Sequence, residues 1–391
     1  MECRKILDCV DIINERVEPY DGYRTYLDTG GLQTDKIIDT REFDYNSKPS
    51  RANLNVQIGD IIFARMKETT KVKVIKSEES DYMVSTGFVV LRAKQEISDV
   101  NYLNHIFLSD YFQRGKDELC TGATQKAINN TNFKKLEIPL PQIDQQRLIA
   151  KILDAANAYR QKTKDLIEKY DELTQSLFLD MFGDPLTNPM QWERKKLNSF
   201  LNILVDVGSN GGNDWVSANI KMKDEEDYAL MIRTVNLNKN DFKNNLKYVS
   251  EETYNLFKKT KVYGGEIIMN KIGSAGKFWL MPNLNRPVSL GLNQLMMTFD
   301  NLEKMFFYYY FSTDYGKRLI NSKLNGATTK SITKTALRDL DVLYPPIKLQ
   351  NIFAERVQAI EAQKALAYQE LEKADDLYKS LLQKAVKGEL V

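Results

Sequence analysis

The sequence predicts an α+β fold: two similar α/β domains separated by two long antiparallel helices, written as a pseudo-twofold internal duplication. Three observations carry this. The phrase GATQKAINN at residues 122–130 returns as GATTKSITK at 326–334. Apolar, β-branched runs bounded by glycine and polar clusters precede each phrase in the same order, and such runs read as strands. After each phrase the apolar period changes to steps of three and four, the mark of a helix with an apolar seam.

Aligning residues 122–146 with 326–350 pairs Gly122 with Gly326, Ala123 with Ala327, Thr124 with Thr328, Lys126 with Lys330, Ile128 with Ile332 and Gln146 with Gln350. Chance at ordinary composition gives ~1 or 2 identities over such a stretch. Upstream, IGDIIFARMK (58–67) matches GGEIIMNKIG (264–273), STGFVVL (85–91) matches SLGLNQL (289–295), and LSDYFQR (108–114) matches FSTDYGKR (311–318). The offset stays at 204 to 206, so whole domains are duplicated.

The elements follow in order. The first domain, 1–142, has strand runs IGDIIFA, VKVIK and MVSTGFVVL, then the helical stretch VNYLNHIFLSDYFQRGKDEL, then the turn and EIPLP. Proline ends that last strand, because it removes a ladder donor and blocks a helix. A first long helix, 143–181, carries the seam Ile149, Ile152, Ala156, Tyr159, Thr163, Leu166, Tyr170, Leu173 and Leu177. FGDPLTNPMQW, 182–192, is rich in turn formers and reads as a linker. The second domain, 193–346, repeats the plan with GGEIIMN, KFWLM, LNQLMMTF, the helical LEKMFFYYYFSTDYGKRLI, the turn and VLYPP. A second long helix with its tail, 347–391, has the seam Val357, Ile360, Lys364, Ala367, Leu371, Ala374, Tyr378, Leu381 and Ala385. Each helix of about 40 residues is roughly 60 Å long. Burying the two seams on each other, antiparallel, is expected to give a dumbbell.

Composition narrows the function. Basic and acidic residues number 55 and 53, a net charge of +2, which is too balanced for a surface that binds nucleic acid all over. Local basic faces remain available. Cys3, Cys9 and Cys120 show no CxxC spacing, which argues against a zinc ribbon or disulfide framework and suits a reducing compartment. No stretch has signal-peptide or membrane-span character, so a cytoplasmic protein is expected.

Catalytic motifs are sparse. His105 is the single histidine and lies in the apolar helical stretch YLNHIF, which reads as a packed helix residue before it reads as a catalytic base. Histidine–cysteine metal clusters are unavailable. The strings YPPI (344–347) and NPM (188–190) miss the Asn/Asp-Pro-Pro-aromatic loop of an adenine methyltransferase. GSNGG (208–212) and IGSAGKF (272–278) miss phosphate-loop spacing and read as plain loops. Asp184 followed by Glu193-Arg194-Lys195 has the order of a nuclease site, but the string also suits a linker.

Two similar, non-identical readers held apart by a rod suit a bipartite ligand. DNA fits, since ~60 Å spans one to two duplex turns of 34–36 Å. The order domain, long helix, domain, long helix resembles the specificity (S) subunit of type I restriction–modification enzymes over essentially the whole chain. The duplicated Gly-Ala-Thr turns, IGDIIFARMK with GGEIIMNKIG, LPQIDQQRLIAKIL and FLDMFGDPLTNPMQWERKKL carry the resemblance. YPPIKLQNIFAERV is a looser second version of the helix start. The resemblance implies a non-catalytic subunit whose two target-recognition domains each read half of a split double-stranded DNA site. It implies that the helices set the spacing and dock two methyltransferase (M) subunits, with two restriction (R) subunits as an optional addition. S-adenosylmethionine, ATP and magnesium are then expected on the partners, and no cofactor in this chain. Two rivals stay open: a DNA-modifying enzyme with divergent motifs, and a coiled-coil scaffold without DNA specificity.

Base reading needs forked or amide side chains, with lysine and hydroxyls mostly on phosphate. Gln125 and Lys126 in the first phrase, and Thr329 and Lys330 in the second, are the candidates; Gly122/Ala123 and Gly326/Ala327 are expected to shape the turn. Arg65 and Lys67 follow the first IGDIIF run, with Lys271 and Lys277 in the matching region. Arg92, Arg233, Asn236 and Asn238 complete the set for DNA, with Gln33 in the first copy. The letters that change between the phrases, Gln125 to Thr329 and Asn129-Asn130 to Thr333-Lys334, are where two half-sites are expected to differ.

Overall fold

The computed structural model describes residues 3–123 and 125–390; Thr124, one of the repeated letters, lies outside the described residues. The chain divides into two compact units, Met1–Asp165 with Ala367–Val391, and Leu166–Leu366.

In the first unit, strands Val10–Ile13, Phe88–Ala93, Ile61–Ala64 and Val72–Val74 lie side by side in that order, all antiparallel. All four residues of Ile61–Ala64 are buried, which is why this run shows no polar alternation. Ile61 and Phe63 face a core built with helices α1 (Val100–Leu108) and α2 (Asp110–Glu118). Ile62 and Ala64 face the opposite way, onto Leu27, Leu54 and Val84 of a second sheet. That sheet orders Arg41–Phe43, Arg24–Leu27, Met83–Ser85 and Ala52–Asn55, with the middle pair parallel. Cys3–Lys5 pairs with Glu137–Pro139, so the first and last strands of the domain close on each other.

The second unit repeats this strand for strand. Leu201–Asp206, Gln294–Phe299, Ile267–Asn270 and Phe278–Leu280 form the main sheet. Tyr248–Val249, Ala229–Met231, Val288–Ser289 and Lys261–Val262 form the second, again with a parallel middle pair. Glu193–Lys196 pairs with Asp341–Tyr344 as the closing ladder.

The ladders correct one alignment. Leu91 pairs with Ile61 and Met297 with Ile267, so both strands keep an offset of 206. STGFVVL therefore corresponds to GLNQLMM (291–297), two residues beyond the letter match. A slip of two keeps every side chain on its own face, so the apolar pattern cannot detect it; only the ladder does. The helix caps Asp99 and Glu303 return the offset to 204, which puts two extra residues in the first copy's strand-to-helix loop.

The first long helix, α3 (Ile143–Phe182), spans 40 residues; after α4 (Lys304–Ser312) and α5 (Asp314–Asn321), the second, α6 (Ile347–Lys387), spans 41. Within each unit their segments run antiparallel. In the first unit Tyr159 reaches Glu370 at 3.2 Å and Arg160 lies 3.4 Å from Asp375. In the second, Lys364 pairs with Asp171, and the rings of Phe178 and Phe182 stand 5.7 and 5.3 Å from Phe353.

On α6 all nine expected seam positions, Val357, Ile360, Lys364, Ala367, Leu371, Ala374, Tyr378, Leu381 and Ala385, are buried or half-buried. On α3 half of the expected seam is displaced. Ile149, Ala156, Thr163, Tyr170 and Leu177 turn inward, but their companions are Leu153, Arg160, Ile167 and Thr174, one residue later than expected. Tyr159, Leu166 and Leu173 stand 50%, 43% and 50% exposed, and Ile152 is half-buried. Polar residues took the inner row because the interface satisfies them. The Arg160 guanidinium sits 4.6 Å over the Tyr378 ring. Thr163 and Thr174 donate their hydroxyls to the carbonyls of Tyr159 and Tyr170, one turn back.

His105 joins α1 to both long helices. Its Nδ1 lies 2.9 Å from the Tyr378 hydroxyl and its Nε2 2.7 Å from Asp154. Burial pushes its pKa below the ordinary histidine value, outweighing the pull of Asp154 in the other direction. The unfolded chain takes up this proton near pH ~6.5. Between that pH and the lower folded value, acidification therefore favours unfolding, by up to about 1.4 kcal/mol per pH unit. Hydrogen-exchange protection of the Phe88–Ala93 strand, corrected for intrinsic rates, is expected to drop from pH 7 to 5.5. The His105→Phe variant is expected to lose that slope, and a slope unchanged by the substitution would exclude His105 as its source.

Candidate nucleic-acid interface

At one end of each main sheet three backbone segments lie edge to edge. In the first unit Arg65 N–H donates to Gly87 O (3.0 Å), Ile128 N–H to Arg65 O (2.9 Å), and Lys67 N–H to Lys126 O (2.9 Å). In the second, Lys271 N–H donates to Asn293 O (2.8 Å), Ile332 N–H to Lys271 O (3.0 Å), and Gly273 N–H to Lys330 O (3.0 Å). The duplicated phrase is thus the outer turn of a three-segment loop layer, with Thr121 bridged to Ala127 and Asn325 to Ser331. Gly122 and Gly326 have φ of +131° and +98°, and a Cβ on either would run into the carbonyl three residues on. Their role is conformational.

The structure sorts the candidate residues. Gln125, Lys126, Thr329 and Lys330 are exposed at the turn tips. Lys67 is half-exposed, 3.7 Å from Glu68, and Lys277 is exposed, 5.6 Å from the Trp279 ring centroid. Asn238 and Gln33 are also exposed. Other candidates are engaged by neighbouring groups of the fold. Arg65 donates to Phe88 O (3.1 Å) and Asn130 Oδ1 (2.8 Å), bracing the layer from below. Arg92 holds the fully buried Asp60 through two bonds of 2.8 and 3.0 Å. Asn236 is buried and donates to the carbonyls of Asp241, Asn244 and Asn245. Its amide closes a loop, so Asn236 is not a surface reader. Arg233 donates to Asn245 O and stays half-exposed.

The changed letters separate as well. Asn129 and Thr333 do the same work, capping the short helices Asn130–Phe133 and Lys334–Arg338. Asn130 and Lys334 are braces. Where the first copy uses Arg65 with Asn130, the second uses Lys271 (2.6 Å) and Lys334 (3.0 Å) on the two oxygens of Asp206. Burial pushes the Asp206 carboxyl up, but bonds from Lys271, Lys334 and Ser209 bring it down to about 2. Ala127 and Ser331 also differ but lie in the bridges to Thr121 and Asn325, so of the changed positions Gln125/Thr329 alone stands at the tip.

Asp206 and Lys116 went unnoticed in the sequence. Lys116 is fully buried and donates to Met66 O (3.0 Å) and Thr69 O (2.7 Å), fixing the segment that carries Lys67. In FQRGKDEL it reads as one charge on a solvated face, so no pattern flags it.

Two copies of one α/β frame, each offering its own polar and cationic loop tips, define an internally duplicated two-domain protein. Among the described residues no group of histidine, cysteine and carboxylate side chains is placed to hold a metal, and no helix is long and apolar enough to cross a membrane. The chain belongs to the family described as "Type I restriction modification DNA specificity domain", which matches residues 18–169 and again 189–374. It is a DNA sequence-recognition protein of the type I restriction–modification class. It is 22% identical to the putative type I restriction enzyme MjaX specificity subunit of Methanocaldococcus jannaschii, over 87% of this chain and 80% of that one. It is 23% identical to the StySPI specificity subunit of Salmonella potsdam, over 95% and 83%. Its fold matches a chain from a structure describing complex assembly and conformational transition of the type I R-M system. There the TM-score is 0.58 at 20% identity, covering 100% of this chain and 98% of the other.

Proposed function

We propose that this chain is the non-catalytic specificity subunit of a type I enzyme, and that each domain reads one half of a bipartite, asymmetric DNA site through its loop layer. The observation that supports this best is the pair of loop layers. Their backbone bonds are the same, while the exposed tip changes from Gln125-Lys126 to Thr329-Lys330. A shared frame with different tips is what reading two half-sequences requires. In this reading α3 and α6 set the spacing and dock two methyltransferase subunits, to which two restriction subunits can be added. S-adenosylmethionine, ATP and magnesium belong to those partners.

Co-expression with the methyltransferase subunit in a methylation-free host, followed by mapping of methylated adenines, tests this. A split, asymmetric motif is expected. An unsplit motif would overturn the two-reader account, and methylation or cleavage by the purified chain alone would overturn the non-catalytic one.

Lys126→Ala and Lys330→Ala are expected to weaken binding by similar factors on all DNA sequences, each lowering the slope of log K against log salt by about 1. Titration of the assembled complex across salt concentrations checks this, and unaltered slopes would place both lysines off the DNA.

A further inference from the structure

The middle turn of the second unit's loop layer, 291–294, borders a pocket of about 290 Å³. Gln294 and Arg233 line it together with the polar Thr234 and Asn293 and the apolar Met222, Met231 and Leu292. Gln294 is 1% exposed. Its Oε1 accepts the Gly291 N–H at 3.0 Å, while its Nε2 has no hydrogen-bond partner. The Nε of Arg233 is also buried and unpartnered, although another guanidinium nitrogen donates to Asn245 O. Buried donors left unmade are costly, and each one in a native fold calls for a partner. Here two belong to residues that line one cavity, and both are donors.

The first unit has different chemistry at the equivalent places. Phe88 pairs with Ala64 as Gln294 pairs with Asn270, so a buried ring stands where the amide does. Tyr26 pairs with Met83 as Met231 pairs with Ser289, which sets Asp28 opposite Arg233. Asp28 is satisfied by Arg41 and by the Gly31 N–H. The donor pair is thus a property of the second domain laid on the shared frame, one segment away from the Lys330 turn.

We propose that this pocket receives the keto edge of one base in the second half-site, guanine or thymine, with Gln294 and Arg233 donating to it. This rests on the loop layer facing DNA. In the major groove guanine offers O6 and N7 and thymine offers O4 beside a methyl group, whereas cytosine offers an amino donor and adenine an amino donor next to N7. Two unmade donors beside an apolar wall select the former pair.

Methylation mapping of the co-expressed complex with Gln294→Glu and Gln294→Leu tests the proposal. One position of the second half-site is expected to change from G or T towards A or C in the glutamate variant, and to lose definition in the leucine variant. The remaining positions are expected to stay. If both variants methylate at the unaltered motif, or if the change falls in the first half-site, the proposal is overturned. Should the variants fail to assemble, the unmodified complex is titrated with duplexes carrying 6-thioguanine or 4-thiothymine at each position of that half-site. A loss of about tenfold at one position is expected, and no loss anywhere overturns the proposal. The analogue that weakens binding tells guanine from thymine. If the unmodified complex gives no split motif, the two-reader account falls first; a split motif with insensitive variants sinks the pocket alone.

Discussion

Exchanging residues 1–142 for the equivalent domain of another specificity subunit is expected to replace one half of the methylated motif completely and leave the other half intact. The loop layer of the first unit is assembled entirely from residues 65–67, 85–88 and 121–128, so it travels with the graft. The cut also falls outside the ladder that closes the domain, Cys3–Lys5 with Glu137–Pro139. What the graft must respect is the seat on the long helices. Gln146 stays with the recipient and needs backbone groups at positions 97, 99 and 141. Asp154 and Tyr378 stay as well and need a bonding side chain where His105 stood. The second domain meets the same need differently, with Tyr309 donating to Glu361 at 3.3 Å. Adenine mapping of the hybrid reads the result, and a change in both halves would sink reading by halves.

Gln146→Met and Gln350→Met are expected to destabilise their units, the first more than the second. Both amides are fully buried at the start of a long helix. Gln146 accepts from Asp99 N–H (2.9 Å) and donates to Ile97 O (2.9 Å) and Pro141 O (2.8 Å). Gln350 accepts from Glu303 N–H (2.9 Å) and donates to Pro345 O (2.7 Å). Asp99 and Glu303 in turn cap α1 and α4, so each glutamine fastens a long helix to the cap of a domain helix and to the proline hinge. Methionine keeps the length and volume, so the cost is that of orphaned buried groups, about 2–4 kcal/mol for Gln146 and less for Gln350. The three tryptophans, Trp192, Trp215 and Trp279, all lie in the second unit, so their fluorescence follows Gln350→Met during denaturation. Hydrogen exchange in the Ile61–Ala64 strand follows Gln146→Met. Changes under about 0.5 kcal/mol would mean water replaces the amides without loss.

Gln146 and Gln350 also mark the limit of reading letters. Their repetition was visible, but their function was not, because the partners are backbone groups brought in from positions 97–99 and 303. Arg92 and Asn236 had the right chemistry for bases, yet the fold holds Arg92 on Asp60 and buries Asn236 against a loop backbone. Lys116 looked like a surface charge and is buried, because Met66 O and Thr69 O satisfy its ammonium. The α6 seam was legible because small, aliphatic or aromatic residues hold every position of it but Lys364. Half of the α3 seam was displaced by one position because Arg160 and Thr174 can take the inner row once the charge is paired and the hydroxyl returned to the backbone.

The sequence by itself determined the duplication, the two α/β domains and the two long helices. Those are properties of order and period along the chain, which repetition, proline stops and heptad spacing record directly. Only the tertiary structure decided the strand register of STGFVVL, the inward row of α3, and which of the candidate cations are free. Register shifts of two, paired buried charges and backbone-satisfied amides leave the apolar pattern unchanged, so they become visible only when the partner across the fold is in place. The orphan donors Gln294 and Arg233 belong to the same class: each is an ordinary polar letter until the fold sets both against one cavity.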